Sequence, residues 1–234
     1  MRKPSAYRVL DTVAMKESRP NIAPLLVYVG LFFIVWTLRA TVFYSFDASI
    51  ESEALRNVYS NVAKLIIWVL PVFVYLIKVD KANPSRYLKL NTPVNKDGLF
   101  FALIIILIYF SGVLFISLFA QGKHIKLNFN SVALLSTSVS SLFEEILFRG
   151  FILNKLWESL SFWKANLLAA FLFSLAHLPN WLWTKGPQTQ IVVDSLSVFM
   201  LACFLGYLVK KTNSLWPSVA AHITNNFLAS FLSV

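Results

Sequence analysis

Residues 131–150 read SVALLSTSVSSLFEEILFRG, an otherwise uncharged run that holds two adjacent carboxylates, Glu144 and Glu145, and one base, Arg149. A single charge at bilayer depth costs roughly 2.5 to 17 kcal/mol. Acids in such a place mark either a functional site or an ion-pair network. On a helix, Glu145 and Arg149 are four residues apart and share a face. Glu144 points about 100° away and is left for a partner on another element.

The rest of the chain supports a membrane setting. Of its 234 residues 57% are apolar and 14% charged, with mean hydropathy +0.66, where a soluble domain is about 25% charged. Apolar windows at residues 22–44, 58–77, 98–120, 129–156, 162–178, 191–209 and 215–232 each suit a membrane-crossing helix. The expected fold is therefore all-α, a polytopic transmembrane helical bundle of about seven spans (six to eight). Pro71 predicts a kink and Pro179 the end of the fifth span, with WLWTKGPQTQ, residues 181–190, as a loop. Residues 1–20 read as a basic cytoplasmic leader with no apolar core, unlike a cleavable signal peptide. Residues 21–234 read as a single membrane domain.

Net charge is +10, but the basic residues sit in loops rather than on one face, so nucleic-acid binding is not expected. Arg2, Lys3, Arg8, Lys16, Arg19, Lys78, Lys81, Arg86, Lys89, Lys96, Lys155, Lys164, Lys210 and Lys211 fall on one side of seven alternating spans. The positive-inside rule then places the N-terminus in the cytoplasm and the C-terminus outside, in a plasma membrane. Arg39, Lys64 and Asp194 read as residues near span ends. Cys203 is the single cysteine, which excludes an intrachain disulfide and a multi-cysteine metal site.

The candidate chemistry lies in the later spans, within about residues 131–234. His177 is near the end of the fifth span, and His222 and Asn226 share one face of the seventh. Polar groups converging in an apolar bundle suit an intramembrane active site. One mechanism has Glu144, helped by His177, take a proton from water that attacks an amide. His222 and Asn226 then donate to the oxyanion. Glu145 with Arg149 holds the helix or binds a substrate carboxylate. A zinc version is equally open, with Glu144, His177 and His222 as a two-His, one-carboxylate set. With these span boundaries the two histidines differ in depth by about 10 Å, a gap that shifted boundaries, tilt or a broken helix at Pro179 would close.

The segments EEILFR, FSLAH (Phe173 to His177) and HITNN (His222 to Asn226) resemble, in order and spacing, the three motifs of the CPBP family. These are intramembrane endopeptidases related to CAAX prenyl proteases and bacteriocin-processing enzymes. The resemblance runs from about residue 131 to the C-terminus. It implies a helical membrane bundle and peptidase activity, with Glu144, His177, His222 and Asn226 catalytic and Glu145, Arg149 and Phe173 supporting. It implies a peptide or membrane-tethered protein substrate, prenylated or not, and leaves metal and glutamate mechanisms both open. A bacteriocin self-immunity or scaffold protein keeping the fold without the activity is the alternative. A proton-relay transporter is disfavoured because the chain lacks repeated halves.

Overall fold

The structure is a computed structural model that describes residues 22–115, 118–119, 124–125 and 130–233. The leader expected at residues 1–20 lies outside them. In chain order the helices are α1 Ala23–Thr41, α2 Tyr44–Ser49, α3 Glu53–Lys78, α4 Pro84–Tyr87 and α5 Lys96–Phe115, followed by α6 Ser131–Ser159, α7 Phe162–Lys185, α8 Thr189–Thr212 and α9 Trp216–Phe231. Strand β1, His124–Ile125, pairs antiparallel with β2, Leu232–Ser233, in the register His124 to Ser233. The expected all-α bundle is the fold. The seven expected spans correspond to α1, α3, α5, α6, α7, α8 and α9. Among the described residues, α1 with α2, α3, α6, α7 and α8 are long and apolar enough to cross a membrane, while the apolar part of α5, Leu103–Phe115, is shorter.

Bonds between loops fix the alternation. At one end, Lys155 pairs with Asp80 at 2.9 Å, Tyr87 donates to Glu158 at 2.5 Å, and the Trp216 indole donates to the Leu90 carbonyl at 2.8 Å. The backbone N–H groups of Asn95 and Leu215 donate to the carbonyls of Thr212 and Lys89. The basic segment after α3 and the basic ends of α6 and α8 thus gather at that end. At the other end, Arg39 pairs with Asp47 at 2.8 Å and Asn130 donates to Glu53 at 2.9 Å. Asn130 also caps α6, its side-chain oxygen accepting the Ala133 N–H at 3.0 Å.

Large apolar side chains such as Leu26, Leu31, Ile34 and Leu38 of α1 point outward, as a hydrocarbon surrounding permits. Inside, Trp68 of α3, Phe148 and Phe151 of α6 and Phe173 of α7 are fully buried. Their rings meet edge to face, Trp68 to Phe148 at 5.6 Å and Phe148 to Phe173 at 5.0 Å, the geometry that aromatic quadrupoles favour.

Two local findings position the site. Helices α3 and α6 each contain a π-helical stretch, Leu65–Val69 and Ile146–Leu153. Lys64 immediately precedes the first, and Glu144 and Glu145 precede the second. In the first, the Leu70 N–H reaches back five residues to the Leu65 carbonyl, just before Pro71, which has no N–H to offer. The second finding corrects an expectation. Helix α7 does not stop at Pro179 but continues to Lys185, so residues 181–185 are helical rather than loop. Pro179 leaves the Leu175 carbonyl without its usual donor, and the neighbouring Ala176 carbonyl accepts the Trp36 indole N–H from α1 at 2.8 Å. Such support from a neighbouring helix is how membrane helices carry an internal proline.

Candidate active site

Helix α6 presents two parallel polar stripes, each with a four-residue repeat. Ser136, Ser140 and Glu144 face α3. Asn61 donates its amide to the Ser136 hydroxyl at 2.9 Å, and the Lys64 ammonium donates to the Ser140 hydroxyl and forms an ion pair with Glu144. Thr137, Ser141 and Glu145 face α9, which answers with Ser218, His222 and Asn226, again four apart. Asn226 donates to the Ser141 hydroxyl at 2.9 Å. His222 Nδ1 lies 2.8 Å from Glu145 Oε1, and the Ser218 hydroxyl donates to the same carboxylate. The small serines let the helices approach closely enough for these bonds.

Glu145 is fully buried and Arg149 nearly so. Their ion pair is 2.9 Å long, and the guanidinium lies 4.2 Å from the Phe173 ring centre. Arg149, Ser218 and His222, from α6 and α9, thus give Glu145 a charge and donors that offset the cost of its burial. The same Phe173 ring joins the histidines, with centroid distances of 4.9 Å to His177 and 5.8 Å to His222. Both histidines thus border one ring, although α7 is unbroken.

Two hydrogen bonds set proton positions. His177 Nδ1 is 2.9 Å from the Phe173 carbonyl. A carbonyl only accepts, so Nδ1 carries the hydrogen and, in the neutral ring, Nε2 keeps its lone pair. Likewise Glu145 accepts from His222 Nδ1–H, which orients the imidazole so that its Nε2 lies 3.7 Å from Glu144 Oε2. Glu144, His177 and Lys64 line a cavity of about 280 Å³ together with Trp36, Trp68 and Trp181. His222, Asn226 and the Glu145–Arg149 pair are outside its lining.

One residue was not singled out by sequence. Lys64, read as a span-end residue, lies in the site, and Glu144 is consequently paired rather than left alone. The signal was present as Asn61 and Lys64, three apart, opposite the Ser136, Ser140, Glu144 stripe. It became legible only once α3 was seen to begin at Glu53, which moves Lys64 about a dozen residues into the helix.

The zinc set was tested on the same geometry. Among the described residues no three His, Cys, Asp or Glu side chains are grouped to hold a metal ion. A cation, the Lys64 ammonium, already occupies one oxygen of Glu144. As arranged, these side chains do not fit zinc.

A family model described as type II CAAX prenyl endopeptidase Rce1-like matches residues 126–228. Over this segment, less than half of the chain, the sequence is similar to that family. The match agrees with the CPBP resemblance of the three motifs and supports intramembrane endopeptidase activity in general. Of the described residues, the matched segment takes in α6, α7, α8 and most of α9, with Glu144, Glu145, Arg149, His177, His222 and Asn226. Lys64, Trp36 and Trp68 come from outside it. Comparisons with curated proteins and with solved structures gave no match.

Proposed function

We propose that the chain hydrolyses a peptide bond within the membrane, with Glu144 as the base that activates water. The observation that supports this is the cavity shared by Glu144 and His177. The water oxygen bonds to the peptide carbonyl carbon while its proton passes to Glu144 Oε2. His177 Nε2, with its free lone pair, accepts a hydrogen bond from the same water and aims it. The tetrahedral intermediate collapses, the C–N bond breaks, and the proton held by Glu144 goes to the leaving nitrogen. His222, oriented by Glu145, stands at Glu144 Oε2 and steadies that proton. Asn226 acts through Ser141 by fixing α9 against α6. The substrate is a peptide or membrane-tethered protein segment. The gathering of lysines and arginines at one end of the bundle supports a cytoplasmic N-terminus in a plasma membrane.

The test is cleavage of a peptide library, with prenylated and unmodified members, by the purified chain in detergent. Wild type is expected to cleave with or without chelator. Glu144→Gln is expected to lower kcat by about 10²- to 10⁴-fold, and His222→Ala to lower it as well. Equal activity in Glu144→Gln would refute the base assignment, and loss of activity to chelator would refute the metal-free mechanism.

A further inference from the structure

We infer that Lys64 is the electrophile of this site, donating to the carbonyl oxygen of the scissile bond. The inference rests on the endopeptidase reading and adds a residue from outside the matched segment. An ammonium has three N–H donors. Among the described residues two are used, on Ser140 and Glu144. Lys64 lines the cavity beside Glu144 and His177, with its ammonium 4.9 Å from the Trp68 ring centre. A carbonyl that enters this cavity close enough for Glu144-bound water to reach its carbon brings its oxygen to the remaining donor. Asn226, expected from sequence to do this, gives one amide N–H to Ser141 and does not line the cavity.

The electron count requires such a group. As the water oxygen bonds to carbon, the carbonyl π pair moves onto oxygen and leaves a full negative charge there. The proton lost by water is on Glu144 and does not neutralise it. A fixed cation at that oxygen stabilises the intermediate without reorganising. When the intermediate collapses, the pair returns to the carbonyl, the C–N bond breaks, and Lys64 keeps its protons throughout.

A merely structural Lys64 would tie α3 to α6 and do nothing more, and kinetics separate the two. The full chain carrying Lys64→Met, Lys64→Gln or Lys64→Arg is assayed in detergent on the peptide that wild type cleaves, with Glu144→Gln as reference. Lys64→Met is expected to lose about 10²- to 10³-fold in kcat with KM changed less than about threefold. Lys64→Arg, which keeps the charge, is expected to regain at least about tenfold of that loss. Lys64→Met strands the Glu144 carboxylate, so if it does not fold, Lys64→Gln, which keeps a donor, decides the matter. A kcat within about threefold of wild type in the folded neutral variant overturns the inference. So does a loss carried by KM, or one that Lys64→Arg does not relieve. An inactive Glu144→Gln beside an active Lys64→Met refutes the role of Lys64 alone, whereas an active Glu144→Gln refutes the endopeptidase mechanism beneath it.

Discussion

Gly206→Ala should loosen the seam between α7 and α8, the helices that carry His177 and pack beside it. A β-carbon at Gly206 would lie 1.9 Å from Asn166 Oδ1 and 2.9 Å from its Cγ, with Leu153 Cδ2 at 3.2 Å. Asn166 is almost fully buried and donates to the Cys203 carbonyl at 2.9 Å. The methyl group must therefore expel the amide. Losing an interhelical hydrogen bond in a membrane protein costs about 0.6 to 1.7 kcal/mol, and overpacking adds about 1 to 3 kcal/mol. Alanine returns about 1 kcal/mol through helix propensity. The net destabilisation is about 1 to 4 kcal/mol, readable by reversible unfolding in mixed micelles. Asn166→Ala in the same chain vacates the space, so the double variant should be more stable than the two single costs together imply, by at least about 0.5 kcal/mol. A Gly206→Ala protein as stable as wild type, or strictly additive single and double variants, would refute the close approach described.

Two further outcomes follow from the buried contacts. Ser218→Ala removes one donor to Glu145 while leaving Arg149 and His222 in place. It should cost about 1.5 to 3 kcal/mol, the range for a hydrogen bond to a charged group, measured in the same unfolding assay. At the basic end, burial, and then its hydrogen bond to Glu158, hold the Tyr87 phenol well above the usual tyrosine range. The unfolded chain ionises this group near pH 10, so its stabilising contribution is complete below about pH 10 and is lost as pH rises above that value. Unfolding midpoints across that range should fall in wild type by more than in Tyr87→Phe.

The bundle was legible because hydropathy and loop charge both repeat with each crossing, and neither depends on detail. The carboxylate stripe was legible for the same reason, since Glu145 and Arg149 need only helical spacing to meet. Pro179 misled because a local rule for helix ends takes no account of neighbouring helices, such as α1, whose Trp36 indole bonds the Ala176 carbonyl 140 residues away in sequence. Lys64 was hidden by a boundary. Starting the second span at residue 58 places that lysine near an interface, where it has an innocent reading. The partner that changes this is on α6, 80 residues further on, and no local pattern specifies which face of one helix meets which face of another.

The π-helical stretch in α6 has a consequence for how this chain tolerates changes of length. Each wide turn accommodates a residue beyond the α-helical count, so the α-helical turns on either side keep their faces while the stretch between them carries the surplus. Deleting a single amino acid between Glu145 and Asn154 would let the stretch close to an ordinary α-helix. Asn154, which reaches the Tyr87 carbonyl, and Lys155, which holds Asp80, would stay on their partners. The same deletion in a regular α-helical turn would rotate everything downstream by about 100° and pull it back by about 1.5 Å. In α6, therefore, the loss of one codon within the wide turns is milder than the same loss on either side of them.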